Sequence, residues 1–150
     1  MRRFKFRLER ILSYRRSLTE AEKAHFATKV AAVLRAEEHA SRLRGIRNET
    51  LIARIRALQY GTTATEVSNI HEHLIKVDEA LGNALEKVEK TKFEMEQARQ
   101  KLVERRRDQR AIELIKDRRF SSWLRDYYRE EGKILDDIAT IRYLRKQETE

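Results

Sequence analysis

Cysteine and proline are both absent from the chain, and only four of its 150 residues are glycine. Without cysteine there is no disulfide and no thiolate metal site, and an intracellular compartment is the expectation. The missing proline, the scarce glycine and the few turn-forming clusters argue against a compact globule of many short elements. No uninterrupted apolar run approaches the ~20 residues that a bilayer crossing needs. The start is charged and lacks the apolar stretch of about 7 to 15 residues found in a secretory signal. The expectation is therefore a cytoplasmic protein with no direct membrane insertion, meeting a membrane only through partners.

What is abundant is charge: 39% of residues are charged and 40% hydrophobic, the mean hydropathy is -0.79 and the net charge is +9. That balance suits long solvated helices. Disorder is the other class with such a composition, but a disordered chain does not space its apolar residues at a regular helical period.

The period is clearest from Val67 onward. Val67, Ile70, Leu74, Val77, Leu81, Ala84, Val88, Thr91, Met95, Ala98 and Leu102 keep a strict 3,4 spacing, and all but Thr91 are apolar. So narrow a stripe predicts a seam buried against one partner helix, because a globular bundle would show a wider face. After Leu102 the seam polarises at Arg105 and Gln109, then resumes one residue out of phase at Phe120, Leu124, Tyr127, Glu131, Ile134, Ile138 and Ile141. A local change of supercoil is expected there. The first half is also helical, through Leu18, Ala21, Phe26, Val30, Val33, Leu34, Ala40, Leu43, Ile46, Leu51, Ile55 and Leu58. Counted by apolar residues, its seam drifts and takes in Arg44 and Arg47.

Between the two halves lies "QYGTTATEV". Gly61 can end a helix in the left-handed conformation, and Thr63 with Glu66 three residues later fits a capping box. Gly45 and Gly82 fall inside periodic sequence and read as soft points within helices. The fold class is thus all-α: a single domain, 1-150, forming a long antiparallel two-helix coiled coil. Helix 1 covers about 4–60, the turn about 61–65 and the longer helix 2 about 66–147. At 1.5 Å per residue the arms would be roughly 85 Å and 120 Å long. With the turn near residue 62, residue i faces about residue 124 minus i, and the second helix runs out of partner near residue 120.

Two packed helices offer no water-excluding pocket able to hold several groups around a substrate, so neither an enzyme nor a cofactor site is expected. His71 and His73 stand about 200° apart on a helix, whereas a zinc pair needs i, i+4 spacing. The neighbours Asp136 and Asp137, like Glu130 and Glu131, point to different faces and read as solvated charge. Residues 1–16 carry seven Lys/Arg and one Glu, and residues 105–119 carry seven Lys/Arg and three acids. Facing each other at the open end of a hairpin, these segments would steer an acidic partner there. Phe120, Trp123, Leu124 and Tyr127 in "FSSWLRDYY" share one face at i, i+3, i+4 and i+7. Two readings follow: an exposed aromatic patch for a partner, or a patch covered by Phe4 and Phe6 reaching back or by a second hairpin.

The opening "FKFRLERILSYRR", "EEHASRL" in the first arm, "VERRRDQRAIELIKDRR" and "EEGKILDDIATIR" together resemble the FliJ family of flagellar type III export proteins. The resemblance covers nearly the whole chain. It implies a cytoplasmic, non-catalytic coiled coil similar to the rotor stalk of rotary ATP synthases, without cofactor or metal. Family members insert the end bearing the termini into the pore of the hexameric flagellar export ATPase, promoting its assembly and hydrolysis. Their other end approaches the cytoplasmic domain of the export-gate membrane protein, which holds them at the inner face of the cell membrane, and they also escort empty export chaperones. Carried over by residue, the ATPase-facing candidates are Phe4, Phe6, Arg7, Leu8 and Arg10, with Arg118, Arg119, Leu135, Asp136, Ile138 and Ala139. The gate-facing candidates are Leu43, Val77 and Ala80, while His39, Ile46, Thr50 and His73 stand where relatives often carry glutamine or aromatics. Injectisome stalk proteins share the architecture, and the opening motif points to the flagellar branch.

Two readings from other classes stand beside the resemblance: a general basic coiled-coil adaptor, and a protein that binds nucleic-acid phosphates. The second predicts a steep loss of affinity with salt. It gives no reason for the long seam, and no nucleic-acid partner is expected.

Overall fold

The computed structural model describes residues 3–147, with side-chain surroundings for residues 3–142. Two α-helices account for nearly all of it: α1, Glu9–Tyr60, and the longer α2, Ala64–Gln147. The chain is all-α, and the two helices pack antiparallel. Gly61, at φ 80°, supplies the left-handed residue that ends α1. The Thr63 Oγ1 accepts from the Glu66 N–H at 3.3 Å, and the Thr63 N–H donates to the Glu66 carboxylate at 3.4 Å, the reciprocal pair that opens α2. Gly45 and Gly82 lie inside helices.

The chain divides into two compact units. A terminal unit joins Met1–Thr19 with Arg105–Glu150, and a turn unit comprises Glu20–Glu104.

In the turn unit, every position of the expected α2 seam from Val67 to Leu102 is buried or half-buried. The seam of α1 differs from the expectation. It does not drift: Glu22, Phe26, Lys29, Val33, Ala36, Ala40, Leu43, Arg47, Thr50, Arg54 and Ala57 keep strict 3,4 spacing and are all buried or half-buried. Ala21, Leu34, Ile46, Ile55 and Leu58, counted into the seam by their chemistry, are exposed. Apolar counting failed because several seam positions are polar. Long basic side chains occupy them by burying their stems and carrying the charge outward, as Lys29 does to Glu94 at 2.8 Å and Arg47 to Asp78. Thr50 is buried because its hydroxyl donates to its own helix, at the Ile46 carbonyl, 2.8 Å away. Arg54 is the exception, its Nε buried with no hydrogen-bond partner among the described residues. The middle of the seam is built from Ala36, Ala40, Ala84 and Val88, with Leu43 packed against them. Side chains this small set a short interaxial distance.

In the terminal unit the same 3,4 spacing runs from Leu8, just before α1, through Leu12, Arg15 and Thr19 on α1 and through Arg105, Gln109, Ile112 and Lys116 on α2. The expected polarisation at Arg105 and Gln109 is present, but the register carries on through Ile112 and Lys116. Of the out-of-phase set, Leu124 and Tyr127 are half-buried, whereas Phe120, Glu131, Ile134, Ile138 and Ile141 are exposed. The reason is length: Glu9, the first residue of α1, already pairs with Lys116 at 2.7 Å, so α1 has nothing left to face them. Within each unit some interhelical ion pairs follow the expected pairing rule, whereas Arg16–Glu113 at 3.3 Å and Lys92–Glu37 at 3.0 Å lie outside it. Arg15–Asp108 at 2.7 Å, Lys116–Glu9, Lys29–Glu94 and Arg47–Asp78 each fall within about one residue of it. Such exposed pairs are worth about 0–1 kcal/mol each, so they select register more than they stabilise.

Candidate functional site

Chemistry concentrates in the terminal unit. It holds twenty Lys/Arg against eleven Asp/Glu, while the turn unit holds fourteen of each. The whole net charge of +9 therefore belongs to the terminal unit.

Its first residues are not helical. The expectation placed the helix start near Phe4, whereas α1 begins at Glu9 and residues 3–6 carry no regular structure before a turn at Arg7 and Leu8. The sequence contained the reason, since Phe4, Phe6 and Leu8 alternate at period two, the pattern of extended backbone. The Phe6 carbonyl accepts from the Glu9 N–H at 3.2 Å and the Leu8 carbonyl from the Leu12 N–H at 2.9 Å, which leads the chain into α1. Leu12 directly follows and has no exposed surface at all.

This segment lies on α2. The Phe4 ring meets Phe120 edge-on, with centroids 5.3 Å apart, and meets Trp123 at 5.9 Å. Phe120 stacks on Trp123 at 5.8 Å, Trp123 touches Tyr127 at 5.4 Å, and Tyr127 touches Tyr128 at 5.7 Å. Phe6 is 9% exposed, with the Lys116 Nζ 5.8 Å and the Arg119 guanidinium 5.9 Å from its ring centre. Cations over an aromatic face are attracted by its quadrupole, which offsets part of the cost of crowding basic residues. Of the two readings of the aromatic face, the structure therefore has Phe4 reaching back onto it.

Earlier on α2 than the aromatic cluster, Glu113 gathers Gln109 at 3.0 Å, Arg16 at 3.3 Å and Arg110 at 3.5 Å. The Gln109 amide first, then the guanidinium groups, hold its carboxyl below the ordinary glutamate value of 4.5. Thr19, which is buried, donates its hydroxyl to the Arg15 carbonyl at 3.0 Å and lies 3.5 Å from that of Arg105. Ile112, Glu113 and Lys116 were missed by reading apolar spacing alone. For Ile112 and Lys116 the signal was the continuation of the 3,4 count past Leu102 regardless of residue type; Glu113 falls off that count and left no such signal.

The sequence candidates fall into three groups. Phe4 is brought onto Phe120 and Trp123 of the aromatic set, and Arg119 lies over Phe6; Leu8, Leu124 and Tyr127 are half-buried, and Arg7, Arg10 and Arg118 are exposed beside them in sequence. Leu135, Asp136, Ile138 and Ala139 form a second, fully separate stretch of α2, all exposed, with Leu135 61% and Ile138 42% accessible. The Asp136 backbone carbonyl accepts from the Thr140 hydroxyl at 2.8 Å, an intrahelical bond. In the turn unit, Leu43 and Ala80 are half-buried and Val77 is buried in the seam. Among the described residues no three metal-ligating side chains gather, and no helix is long and apolar enough to cross a membrane.

Comparison with known proteins gives two positive findings. A solved structure of a YscO homologue, CT670 from Chlamydia trachomatis, matches with a TM-score of 0.62 over 99% of this chain and 100% of that one, at 18% identity. At that identity the likeness is one of fold. Among curated proteins, none matches. The family model described as "Flagellar FliJ protein" matches residues 4–148. From the extended opening segment to the last turn of α2, the chain belongs to the flagellar FliJ protein family.

Proposed function

We propose that the chain is the non-catalytic stalk of a flagellar type III export ATPase: its terminal unit seats in the central pore of the hexamer, promoting assembly and ATP hydrolysis. The observation that carries this reading is that the entire +9 charge, the opening segment and the exposed apolar stretch of α2 belong to one unit. Charge so concentrated attracts an acidic surface over a Debye length of about 8 Å at physiological salt. Phe4, Phe6, Arg7, Leu8, Arg10, Arg118 and Arg119 form one contact region, and Leu135, Asp136, Ile138 and Ala139 a second. Family membership supports association with the export apparatus. Coupling is mechanical and electrostatic: asymmetric contacts with the ring subunits bias their nucleotide states.

The turn unit, electrically neutral, is the part that approaches the cytoplasmic domain of the export gate, through the surface around Leu43, Val77 and Ala80. Since Val77 faces the other helix, its contribution there is to shape the seam under Leu43 and Ala80. Escort of export chaperones and a peripheral place at the inner face of the membrane belong to the same reading.

The test is ATP hydrolysis by the cognate export ATPase, with and without the chain, at ~0.15 M salt, where exposed charge pairing is largely screened. Saturable stimulation near one chain per six ATPase subunits, lost in the Phe4→Ala/Leu8→Ala double variant, is the expected result. No stimulation of an active ATPase by the folded helical chain sinks the pore reading and leaves an adaptor or chaperone-escort role. Binding that collapses with salt on a phosphate polymer but not on the ATPase points instead to nucleic acid.

A further inference from the structure

The aromatic face of α2 has an occupant in the chain itself. Phe4 sits against both Phe120 and Trp123, and Phe6 has Lys116 and Arg119 over its ring. What holds residues 3–8 there is side chains. Among the described residues, the backbone hydrogen bonds of this segment go to the start of α1 and none goes to α2. An element attached without a backbone ladder opens more readily than the helices it lies on.

The same docking works against charge. It brings Arg3, Lys5 and Arg7 to a stretch of α2 that already carries Lys116, Arg118 and Arg119. Like charges repel; Asp117 lies among them in sequence and Glu9 pairs with Lys116 at 2.7 Å, which leaves the remaining cations unbalanced. The aromatic contacts therefore overcome a repulsion that would otherwise push the segment off.

We propose that Phe120 and Trp123 are positioning residues, an internal socket for Phe4 that straps residues 3–8 onto α2 and so assembles one basic surface from two distant parts of the sequence. The aromatic face is then occupied from within, and its effect on a partner is indirect. Loss of the socket releases Arg3, Lys5, Arg7 and Leu8 from their places without touching them. The consequence for the ring rests on the pore reading above; the strap itself does not.

Trp123 is the chain's single tryptophan, so the strap has a built-in reporter. In the isolated full-length chain, Phe4→Ala should shift Trp123 emission to the red and raise its acrylamide quenching constant about twofold, with far-UV ellipticity unchanged. Phe120→Ala should speed tryptic cleavage after Lys5 and Arg7 about tenfold, because cleavage follows the open population when opening is fast. Phe4→Leu, which keeps bulk without the ring, should fall between wild type and Phe4→Ala in both readouts. Unchanged emission and quenching in Phe4→Ala, together with unchanged cleavage in Phe120→Ala at full helicity, overturn the strap. With the ATPase present, Phe120→Ala should raise the chain concentration for half-maximal stimulation while leaving the plateau. Stimulation by wild type with no strap signature refutes this inference alone, whereas a strap signature without stimulation refutes only the pore reading.

Discussion

The two units are made from the same pair of helices and the same 3,4 spacing, yet they solve different problems. The turn unit is electrically neutral and centres on alanine and valine: Ala36, Ala40, Ala84 and Val88 make a thin, close seam. The terminal unit carries all the net charge, and its buried apolar residues are few and large, Phe6 and Leu12 foremost. Its α2 seam is largely polar, with Arg105, Gln109 and Lys116. The lesson is that spacing alone maintains register, while residue size and charge at the spaced positions decide what a stretch of coiled coil is for. Small side chains give uniform close packing. Polar seam positions with a few large anchors leave surface and charge available to a partner.

That contrast can be broken by cavity and by crowding. Leu12→Ala should remove ~2–5 kcal/mol, since it empties a site with no exposed surface. The loss should appear in thermal melts followed by Trp123 fluorescence, which reports the terminal unit. Ala40→Leu should cost ~1–3 kcal/mol by overpacking a residue only 3% exposed, and should lower the main transition seen by far-UV circular dichroism. If Leu12→Ala shifts both signals by equal amounts, the two units melt as one.

Smaller effects sharpen the picture. A Cβ added at Gly45 or Gly82 meets nothing within 4 Å, so Gly45→Ala and Gly82→Ala should each raise stability by ~0.5–1 kcal/mol through helix propensity. Gly61→Ala should do the reverse, costing ~1–2 kcal/mol, because φ is 80° there and an L side chain is strained in that conformation. Differential scanning calorimetry of the three variants checks both signs. Acid should have the least discriminating effect. Glu113 in the terminal unit is lowered by Gln109 first, and Glu94 in the turn unit by its hydrogen bond to Lys29, both below 4.5. A depressed carboxyl contributes stability that is complete above its unfolded value and fades as pH falls through the folded one. Melts taken from pH 6 downward should therefore hold until about 4.5 and then decline in both units together.

Much of this was legible from residue order. The α2 seam from Val67 to Leu102, the Gly61 stop, the Thr63–Glu66 cap and the antiparallel pairing rule all rest on local periodicity or local hydrogen bonding, and one-dimensional patterns report those directly. The α1 seam was not legible, because Lys29, Arg47 and Thr50 enter it by snorkelling or by bonding their own helix, which an apolar count treats as breaks. The start of α1 was misplaced for a related reason: the period-two phenylalanines signalled extended chain, but only contact with α2 shows what that chain does.

By itself, then, the sequence determined two helices, their turn, the seam of α2 and the positions of charge, since each depends on neighbours within a few residues. Only the tertiary structure decided that the opening segment closes on Phe120 and Trp123, residues more than a hundred positions away. Side-chain contacts between such distant segments follow from where α1 runs out against α2, a length difference that no local pattern encodes.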